Sequence, residues 1–294
     1  MNLSTLKIWA LAARPKTLWA AVSPVIIGTA MAFEAGRGHW LSAVLAGIGA
    51  ILIQIGTNFA NDYFDYLHGA DKGERLGPLR LTQAGLVKPA AMKTAFIVAF
   101  GLAFLVGVYL VWRGGWPIVV IGGLSIMFGI AYTGGPFPLG YHGLGDVFVF
   151  IFFGLVAVGG TYYVQALQLD GIVLLAGVAP GLFSTAILTV NNYRDIDTDR
   201  QAGKRTLAVR FGPAFARMEY LISVLGACLV PVVLCLRSGG HGYALAATLV
   251  FPAAIPSLKI VFREKPGRVF NEVLAGTGKL LLLYSVIFSI GWMI

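Results

Sequence analysis

Long apolar segments, separated by short polar ones, follow one another along almost the whole chain. Most stretches that lack Asp, Glu, Lys and Arg are close to the roughly 20 residues that a helix needs to cross a bilayer. A segment inside a bilayer has to satisfy its backbone hydrogen bonds internally, which a helix does. The pattern therefore predicts an all-α polytopic membrane protein with a single transmembrane domain over residues 1–294.

Nine transmembrane helices account for these segments. We expect them near residues 18–34, 41–61, 93–112, 116–133, 146–167, 172–192, 215–236, 242–261 and 275–293. One apolar run, 114–145, is too long for a single span. Its second half, TGGPFPLGYHGLG, is rich in Gly and Pro, which mark irregular backbone. We therefore expect a helix that ends near Tyr132 and a loop after it.

Composition supports a membrane protein, because 57% of the 294 residues are hydrophobic and only 12% are charged. Of the 22 Lys and Arg residues, 19 lie at the amino end or in the connections after the second, sixth and eighth predicted spans. Cytoplasmic loops carry such an excess. We therefore expect the amino end in the cytoplasm and the carboxyl end outside, in the cell (inner) membrane. The +9 net charge then lies beside an anionic leaflet, and no concentrated basic face indicates nucleic-acid binding.

Acidic residues are few and grouped. Seven of the 13 lie in two short windows, each at the cytoplasmic end of a predicted span. The first window holds Asp62, Asp65, Asp71 and Glu74, and the second holds Asp195, Asp197 and Asp199. Acidic side chains at membrane depth are costly, so they usually face a cavity or a partner. The two windows are therefore candidates for a functional site.

The first window carries carboxamides beside its acids. At 3.6 residues per turn, Asn58, Asp62 and Asp65 share one face of a helix. Asp71 would point the opposite way if that helix continued. A helix break at Gly69 would let Asp71 fold back toward the other two acids.

The second window repeats this arrangement. Asn192, Asp195 and Asp199 share a face, while Asp197 falls on the far side of the helix. Four predicted spans separate the two windows, so both return to the same side of the membrane. This relation suggests two similarly oriented helical halves.

Carboxylates grouped with carboxamides are hard oxygen ligands, which suit Mg²⁺ bound together with a phosphate-bearing substrate. Opposing carboxylates would repel each other without cations between them. Basic residues follow each window, and basic side chains bind phosphate oxygens. The pattern therefore predicts a Mg²⁺-dependent diphosphate site. The alternative is that the acids are juxtamembrane charges neutralised by neighbouring Lys and Arg, and the matching of two windows argues against it.

The motifs NDYFD (61–65) and DIDTD (195–199) resemble those of the UbiA-type superfamily of intramembrane prenyltransferases. Within it, the chain looks most like the 1,4-dihydroxy-2-naphthoate prenyltransferases of menaquinone synthesis. The supporting stretches are ARPKTL at 13–18, NFANDYFDYLHGAD at 58–71, YTGGPFPLGYHGLGD at 132–146 and NNYRDIDTDRQAGKRTLAVRFG at 191–212. The loop TGGPFPLG lacks the Lys or Arg expected of 4-hydroxybenzoate prenyltransferases.

The resemblance implies a nine-helix enzyme with an active site at the cytoplasmic side of the bundle. A polyprenyl diphosphate would lose diphosphate, and its allylic carbon would alkylate an aromatic acceptor within the membrane. In the naphthoate case the ring carboxylate leaves as CO₂, which gives demethylmenaquinol. Mg²⁺ is the implied cofactor, because it would bridge phosphate oxygens and stabilise the charge on the leaving group.

We assign the expected site residues by role. Metal binding is expected of Asp62, Asp65, Asp71, Asp195 and Asp199, and substrate binding of Asn58, Asn61, Lys72, Arg75, Asn192, Lys204 and Arg205. The expected catalytic residues are Asp62, Asp195, Tyr132 and Asp146. The Tyr132 ring would stabilise the allylic cation. Asp146 fits two roles, as a helix cap or as the group that orients or deprotonates the acceptor hydroxyl.

Two other functions stay open at this point. One is prenylation of another aromatic acceptor, such as 4-hydroxybenzoate. The other is ion-coupled transport, with a cation held between the two windows at a repeat interface. The acids lie at helix ends rather than at mid-membrane, which argues against transport.

Overall fold

A computed structural model of the protein describes residues 4–69 and 76–294, and all regular secondary structure within them is helical. The first half contains α1 (Thr5–Ala12), α2 (Leu18–Glu34), α3 (Trp40–Leu67), α4 (Pro89–Gly114) and α5 (Trp116–Ala131). The second half contains α6 (Gly145–Phe150), a π-helical segment (Ile151–Val156), α7 (Ala157–Ala166), α8 (Gly171–Arg194), α9 (Ile196–Gln201), α10 (Leu207–Ser238), α11 (Val250–Arg263) and α12 (Phe270–Met293). Short 3₁₀ segments lie at Pro15–Thr17, Leu139–His142 and Gly242–Leu249.

Eight segments among the described residues are long and apolar enough to cross a membrane. They are Thr5–Glu34, Trp40–Leu67, Pro89–Gly114, Gly145–Ala166, Gly171–Arg194, Leu207–Ser238, Gly242–Arg263 and Phe270–Met293. The fourth predicted span corresponds to α5, which is apolar but has only 16 residues, fewer than the roughly 20 that a span usually needs. The prediction of an all-α membrane protein is confirmed, while the ninth crossing and the sides of the two termini stay predictions.

Two helices extend beyond their predicted membrane spans where the polar windows begin. Helix α3 runs to Leu67 rather than to residue 61, so the motif NDYFD lies inside the helix. Helix α8 likewise runs to Arg194, two residues beyond the predicted end. Apolar character marks the bilayer, whereas a helix ends where its backbone can turn. For α3 this is Gly69, which has a φ of 62° that favours glycine. The predicted helix break at Gly69 is confirmed.

Side-chain caps and prolines account for several helix starts. The His39 ring accepts a hydrogen bond from the Ser42 backbone N–H (3.2 Å) at the start of α3. Thr206 Oγ1 accepts one from the Val209 N–H (3.3 Å) at the start of α10. Pro89 occupies the first turn of α4, where its missing N–H costs nothing. These local signals set where the helices begin at both ends of the bundle.

Helix α8 lies at the centre of the bundle and packs against α10, α12, α6 and the π-helical segment. Glycines allow the π-helical segment and the end of α6 to lie close to α8. A Cβ atom on Gly154 would lie 2.5 Å from the Gly177 carbonyl oxygen, and one on Gly181 would lie 2.8 Å from the Phe150 carbonyl oxygen. Helix α3 packs mainly against α4 and contacts α2, α5 and α7. The two polar windows, at the ends of α3 and α8, therefore meet at one end of the bundle.

Candidate active site

A cavity of about 350 Å³ lies where α3 and α8 end, and it is lined by both polar windows. Its acidic and carboxamide lining residues are Gln54, Asn58, Asn61, Asp65, Asn191, Asn192, Asp195, Asp199 and Gln201, and its basic ones are Arg14, Arg80 and Lys204. We refer to this cavity as the polar chamber. Charges of both signs thus face one space, as expected for a site that binds a cation together with an anionic group.

Asp65 is the most buried acid of the chamber, with no exposed side-chain surface. Its carboxylate pairs with Arg80, which comes from the connection between α3 and α4. The Tyr141 hydroxyl donates a hydrogen bond of 2.7 Å to Asp65 Oδ1, and Lys204 Nζ lies 3.7 Å from the same oxygen. Asp65 therefore joins three separate parts of the chain in one charge network.

Asp62 is absent from the lining of the chamber. Its Oδ2 accepts a hydrogen bond from the Leu81 N–H (3.0 Å), and its Oδ1 accepts one from the Thr82 N–H (3.1 Å). Both carboxylate oxygens thus bind backbone of the α3–α4 connection. The helical spacing predicted that Asp62 and Asp65 lie close together. It did not distinguish Asp65, which lines the chamber, from Asp62, which binds the backbone of a loop.

The two carboxamides of α3 also differ. Asn61 Oδ1 accepts a hydrogen bond from Thr133 Oγ1 (2.8 Å) at the chamber wall. Asn58 Nδ2 donates to the Ala13 carbonyl (2.9 Å) and to Thr17 Oγ1 (3.2 Å). Asn58 therefore ties α3 to the turn that carries Arg14, whose φ of 51° lies in the left-handed region. Non-glycine residues rarely adopt this conformation, and it is often found at functional sites.

Lys204 contacts one acid of the second window and the loop residue Tyr141. Lys204 Nζ lies 3.6 Å from Asp199 Oδ1 and 4.7 Å from the centre of the Tyr141 ring. Burial raises the pKa of Asp199 to about 6, with smaller contributions from the Asp195 and Asp65 carboxylates, and Lys204 partly opposes this rise. Because Lys204 also approaches Asp65, one ammonium group links the two windows.

Asp195 is held by its own neighbour. Arg194 donates from Nε to Asp195 Oδ1 (2.8 Å) and from Nη2 to Asp195 Oδ2 (2.6 Å). The same guanidinium donates to Asn191 (2.8 Å) and Asn271 (2.7 Å) and is almost fully buried. Asp197 has a side chain that is 77% exposed and pairs only with Arg200 among the described residues. Its predicted position on the far side of the window agrees with this placement.

The remaining predicted site residues have varied positions. Asn192 and Tyr132 line the chamber. Asp146 is buried and lines neither the polar chamber nor the apolar cavity described below, and its carboxylate accepts no hydrogen bond from another described residue. The Arg205 side chain is exposed and lies outside the chamber lining. The predicted ligands Asp71, Lys72 and Arg75 lie outside the described residues.

Several residues of the network were not assigned by sequence reasoning. They are Arg80, Thr133, Tyr141, Arg194 and Asn271. Arg80 lies among the basic residues that follow the first window, and Tyr141 lies in the Gly/Pro-rich loop, so both were within regions already marked. Their approach to Asp65 depends on how the connections fold back over the helix ends, which no sequence pattern indicates.

A second, apolar cavity of about 520 Å³ adjoins the polar chamber. It is lined by α2 to α5, α7 and the π-helical segment, with residues such as Val25, Phe104 and Ile121. Tyr132, Gln54, Thr57, Val149 and Phe153 line both cavities. The protein therefore offers a charged space and an apolar space side by side, with Tyr132 at their boundary.

The oxygen donors of the chamber fit Mg²⁺ in one particular way. Among residues 4–69 and 76–294, no three Asp, Glu, His or Cys side chains are grouped as a metal site in themselves. Mg²⁺ commonly takes only one or two carboxylates and completes its coordination with water and substrate phosphates. Asp65, Asp195 and Asp199 around one chamber match that mode of binding.

A helical membrane bundle in which a charged chamber adjoins an apolar cavity is suited to an enzyme that acts on an amphiphile with an anionic head group. Comparisons with known proteins agree with this class. The model of the UbiA prenyltransferase family matches residues 21–290. The chain belongs to the UbiA prenyltransferase family, which confirms the prediction of a prenyltransferase enzyme.

Individual relatives match over nearly the full length of the chain. A 1,4-dihydroxy-2-naphthoate octaprenyltransferase of Escherichia coli is 38% identical and the alignment covers 99% of this chain and 96% of the relative. One of the same name from Mycobacterium tuberculosis is 38% identical over 95% of this chain and 94% of the relative. A solved UbiA homolog from Archaeoglobus fulgidus, bound to GPP and Mg²⁺, has a TM-score of 0.69 at 13% identity and covers 98% of this chain and 100% of its own. That structure supports the fold.

Proposed function

We propose that the chain transfers a polyprenyl group from a polyprenyl diphosphate to 1,4-dihydroxy-2-naphthoate, with release of diphosphate and CO₂. The product is demethylmenaquinol, an intermediate of menaquinone synthesis. The observation that carries the proposal is the junction of the polar chamber with the apolar cavity at Tyr132. The acceptor is the one named for the 1,4-dihydroxy-2-naphthoate octaprenyltransferases of Escherichia coli and Mycobacterium tuberculosis.

The polar chamber would bind the diphosphate. Asp65, Asp195 and Asp199, with the carboxamides of Asn61 and Asn192, would hold Mg²⁺, which supplies charge stabilisation to the leaving diphosphate. Asp62 leaves the proposed ligand set, because it does not line the polar chamber and its two oxygens accept backbone N–H groups of the α3–α4 connection. Asp71 stays a predicted ligand outside the described residues.

Basic side chains of the chamber would neutralise the remaining phosphate charge. Lys204, Arg80 and Arg14 line the space from three different parts of the chain. Lys204 and Arg80 already contact Asp65, so a diphosphate bound there would meet both cations at once. Arg205 is exposed and leaves this set.

The apolar cavity would hold the prenyl tail and keep water away from the reacting carbon. Loss of diphosphate leaves an allylic carbon with cationic character, which bulk water would quench. Tyr132 lies where the tail meets the diphosphate, and its ring face would stabilise that charge. The position of Tyr132 between the cavities supports the role that sequence reasoning assigned to it.

The acceptor reaction needs a nucleophilic ring carbon. The new bond forms at the carbon that carries the carboxylate, the carbon–carboxylate bond breaks, and its electron pair restores the aromatic ring as CO₂ leaves. A deprotonated ring hydroxyl would make that carbon more nucleophilic. Asp146 remains our candidate to orient or deprotonate the hydroxyl, because both oxygens of its buried carboxylate lack a hydrogen-bond partner among the described residues and it adjoins Gly145, which the Tyr132 hydroxyl approaches.

Product analysis tests the proposal directly. Purified protein in lipid would be mixed with Mg²⁺, dihydroxynaphthoate and prenyl diphosphates of several lengths, and the products identified by mass spectrometry. We expect prenylated product that has lost the mass of CO₂, and no product when EDTA removes the metal. Equal or better turnover of 4-hydroxybenzoate in a parallel reaction would contradict the naphthoate assignment, and turnover that survives EDTA would contradict the role of Mg²⁺.

Two glycines of α4 test the assignment of the tail cavity. Gly107 lines the apolar cavity, Gly101 does not, and a Cβ on either would meet no atom within 4 Å. We expect Gly107→Leu to shift the preferred prenyl diphosphate to shorter chains, because the new side chain fills the cavity. Gly101→Leu should leave the preference unchanged. Identical length profiles for the two variants would contradict a tail in this cavity.

A further inference from the structure

Residues 76–82 connect the two polar windows, and we call them the bridging segment. At one end, the consecutive N–H groups of Leu81 and Thr82 donate to the two oxygens of Asp62. At the other end, Asn271 Nδ2 donates to the Leu76 carbonyl (2.8 Å). The segment is therefore tied to α3 on one side and to the start of α12 on the other.

The second tie leads back to the acidic window of α8. Asn271 Oδ1 accepts a hydrogen bond from Arg194 Nη1 (2.7 Å), and Arg194 also holds Asp195. The bridging segment passes directly over this guanidinium, because a Cβ on Gly77 would lie 2.4 Å from Arg194 Nη2. A residue with a side chain would not fit at position 77 without moving the segment or Arg194.

Arg80 lies between these two ties. It is buried, lines the polar chamber and pairs with Asp65. Leu81, the next residue, has no exposed surface and packs in the apolar cluster with Phe59 and Met92. The two hydrogen bonds to Asp62 fix the peptide groups that follow Arg80, so they set the direction in which the Arg80 side chain leaves the backbone.

We propose that Asp62 is a positioning residue that pins the bridging segment so that Arg80 reaches Asp65 and the diphosphate, and that it is not a metal ligand. The proposal rests on the proposed function for the identity of the anion. A carboxylate that accepts two backbone N–H bonds forms charge-assisted hydrogen bonds, which are stronger than neutral ones. Its acceptor capacity is thus directed to the loop, while Asp65, three residues later, faces the chamber.

Kinetics separates the positioning role from metal binding. Asp62→Asn loses the charge and turns an NH₂ group toward one of the two backbone N–H groups, so the segment loosens. We expect the KM for prenyl diphosphate to rise roughly tenfold or more, the size of a lost hydrogen bond to a charged group. The Mg²⁺ concentration for half-maximal activity should stay within about twofold of the original, because no ligand is lost. Asp65→Asn, the matched control, should raise the Mg²⁺ requirement.

Gly77→Ala provides a second variant that leaves Asp62 intact. The added methyl group would overlap Arg194 Nη2, so either the bridging segment or the Arg194 side chain has to move. If the position of the segment is what matters, this variant raises the KM for prenyl diphosphate as Asp62→Asn does. A normal KM in Gly77→Ala protein whose Arg80 site is cleaved faster by trypsin would overturn the positioning role, because the segment would have moved without effect on binding.

Limited proteolysis tests the proposal without turnover. Trypsin would be added to the purified full chain and its variants in lipid, and cleavage after Arg80 followed by mass spectrometry. We expect slow cleavage in the original protein, because Arg80 is buried, and cleavage at least several-fold faster in Asp62→Asn and Gly77→Ala. Asp65→Asn, which retains both ties, should be cleaved more slowly than these two variants.

Unchanged cleavage in Asp62→Asn, together with a raised Mg²⁺ requirement, would overturn the proposal and return Asp62 to the metal site. This readout needs no acceptor, so a wrong acceptor would leave it unaffected.

Discussion

The polar windows of α3 and α8 contain similar residue types but differ in structure. Asn61, Asp62 and Asp65 lie within a continuous helix, so neighbouring side chains point to different surroundings, one to the chamber and one to a loop. The window of α8 crosses a helix end, and Asp195 and Asp199 both line the chamber. An acidic motif thus indicates where a site is, while the direction of the helix and its ending decide which acids enter it.

The largest expected effect compares one buried acid with one exposed acid. Asp65→Asn should lower kcat/KM by roughly 100-fold or more, as for loss of a group that stabilises the charge of the leaving group. Asp197→Asn should have no measurable effect, because its side chain is 77% exposed and lies outside the chamber. Initial rates in membranes, normalised to protein amount, would measure both. A similar loss in the two variants would mean that the windows act through net charge rather than through the chamber.

The next effect concerns the cation shared by both windows. Lys204→Ala should reduce kcat/KM by roughly 10- to 100-fold, the range for one hydrogen bond to a charged group. Arg205→Ala is the control, because this neighbouring side chain is exposed and outside the chamber. Steady-state kinetics at saturating acceptor would be compared for the pair. Arg205→Ala as defective as Lys204→Ala would restore Arg205 to the substrate site.

A smaller effect distinguishes the two carboxamides of α3. Asn58→Ala should lower the free energy of unfolding by about 1–3 kcal/mol, because it removes the ties to Ala13 and Thr17. Its effect on turnover should be indirect, through the position of Arg14. The thermal unfolding midpoint in detergent would be followed together with activity. An unchanged midpoint would show that the tie between α3 and the amino end does not support the fold.

The smallest effect concerns the orientation of Asn61. Thr133→Val removes the hydroxyl that donates to Asn61 Oδ1 and should lower activity about threefold to tenfold, the size of one ordinary hydrogen bond. Thr133→Ser keeps the hydroxyl and should stay close to the original activity. Loss of activity in Thr133→Ser as well would assign the effect to packing of the methyl group instead.

Much of the architecture was predictable because it depends on the bilayer. Apolar length and the cost of unpaired backbone in lipid select helices, and the predicted spans agree with eight helical segments. The meeting of the windows was also predictable, since four predicted spans separate them and an even number returns the chain to the same side of the membrane. Apolar length alone did not give the helix ends, because α3 and α8 continue past their apolar parts into the polar residues of the site.

The sequence by itself determined that this chain is a helical membrane protein of the UbiA family, with its acids gathered at one end of the bundle. Hydrophobic length and helical periodicity are local properties, so they can be derived from neighbouring residues alone. Only the tertiary structure decided that Arg80 and Tyr141 meet Asp65, that Asp62 holds a loop and that Tyr132 separates two cavities. These contacts join residues far apart in the chain, and their geometry depends on how the connections fold over the helix ends.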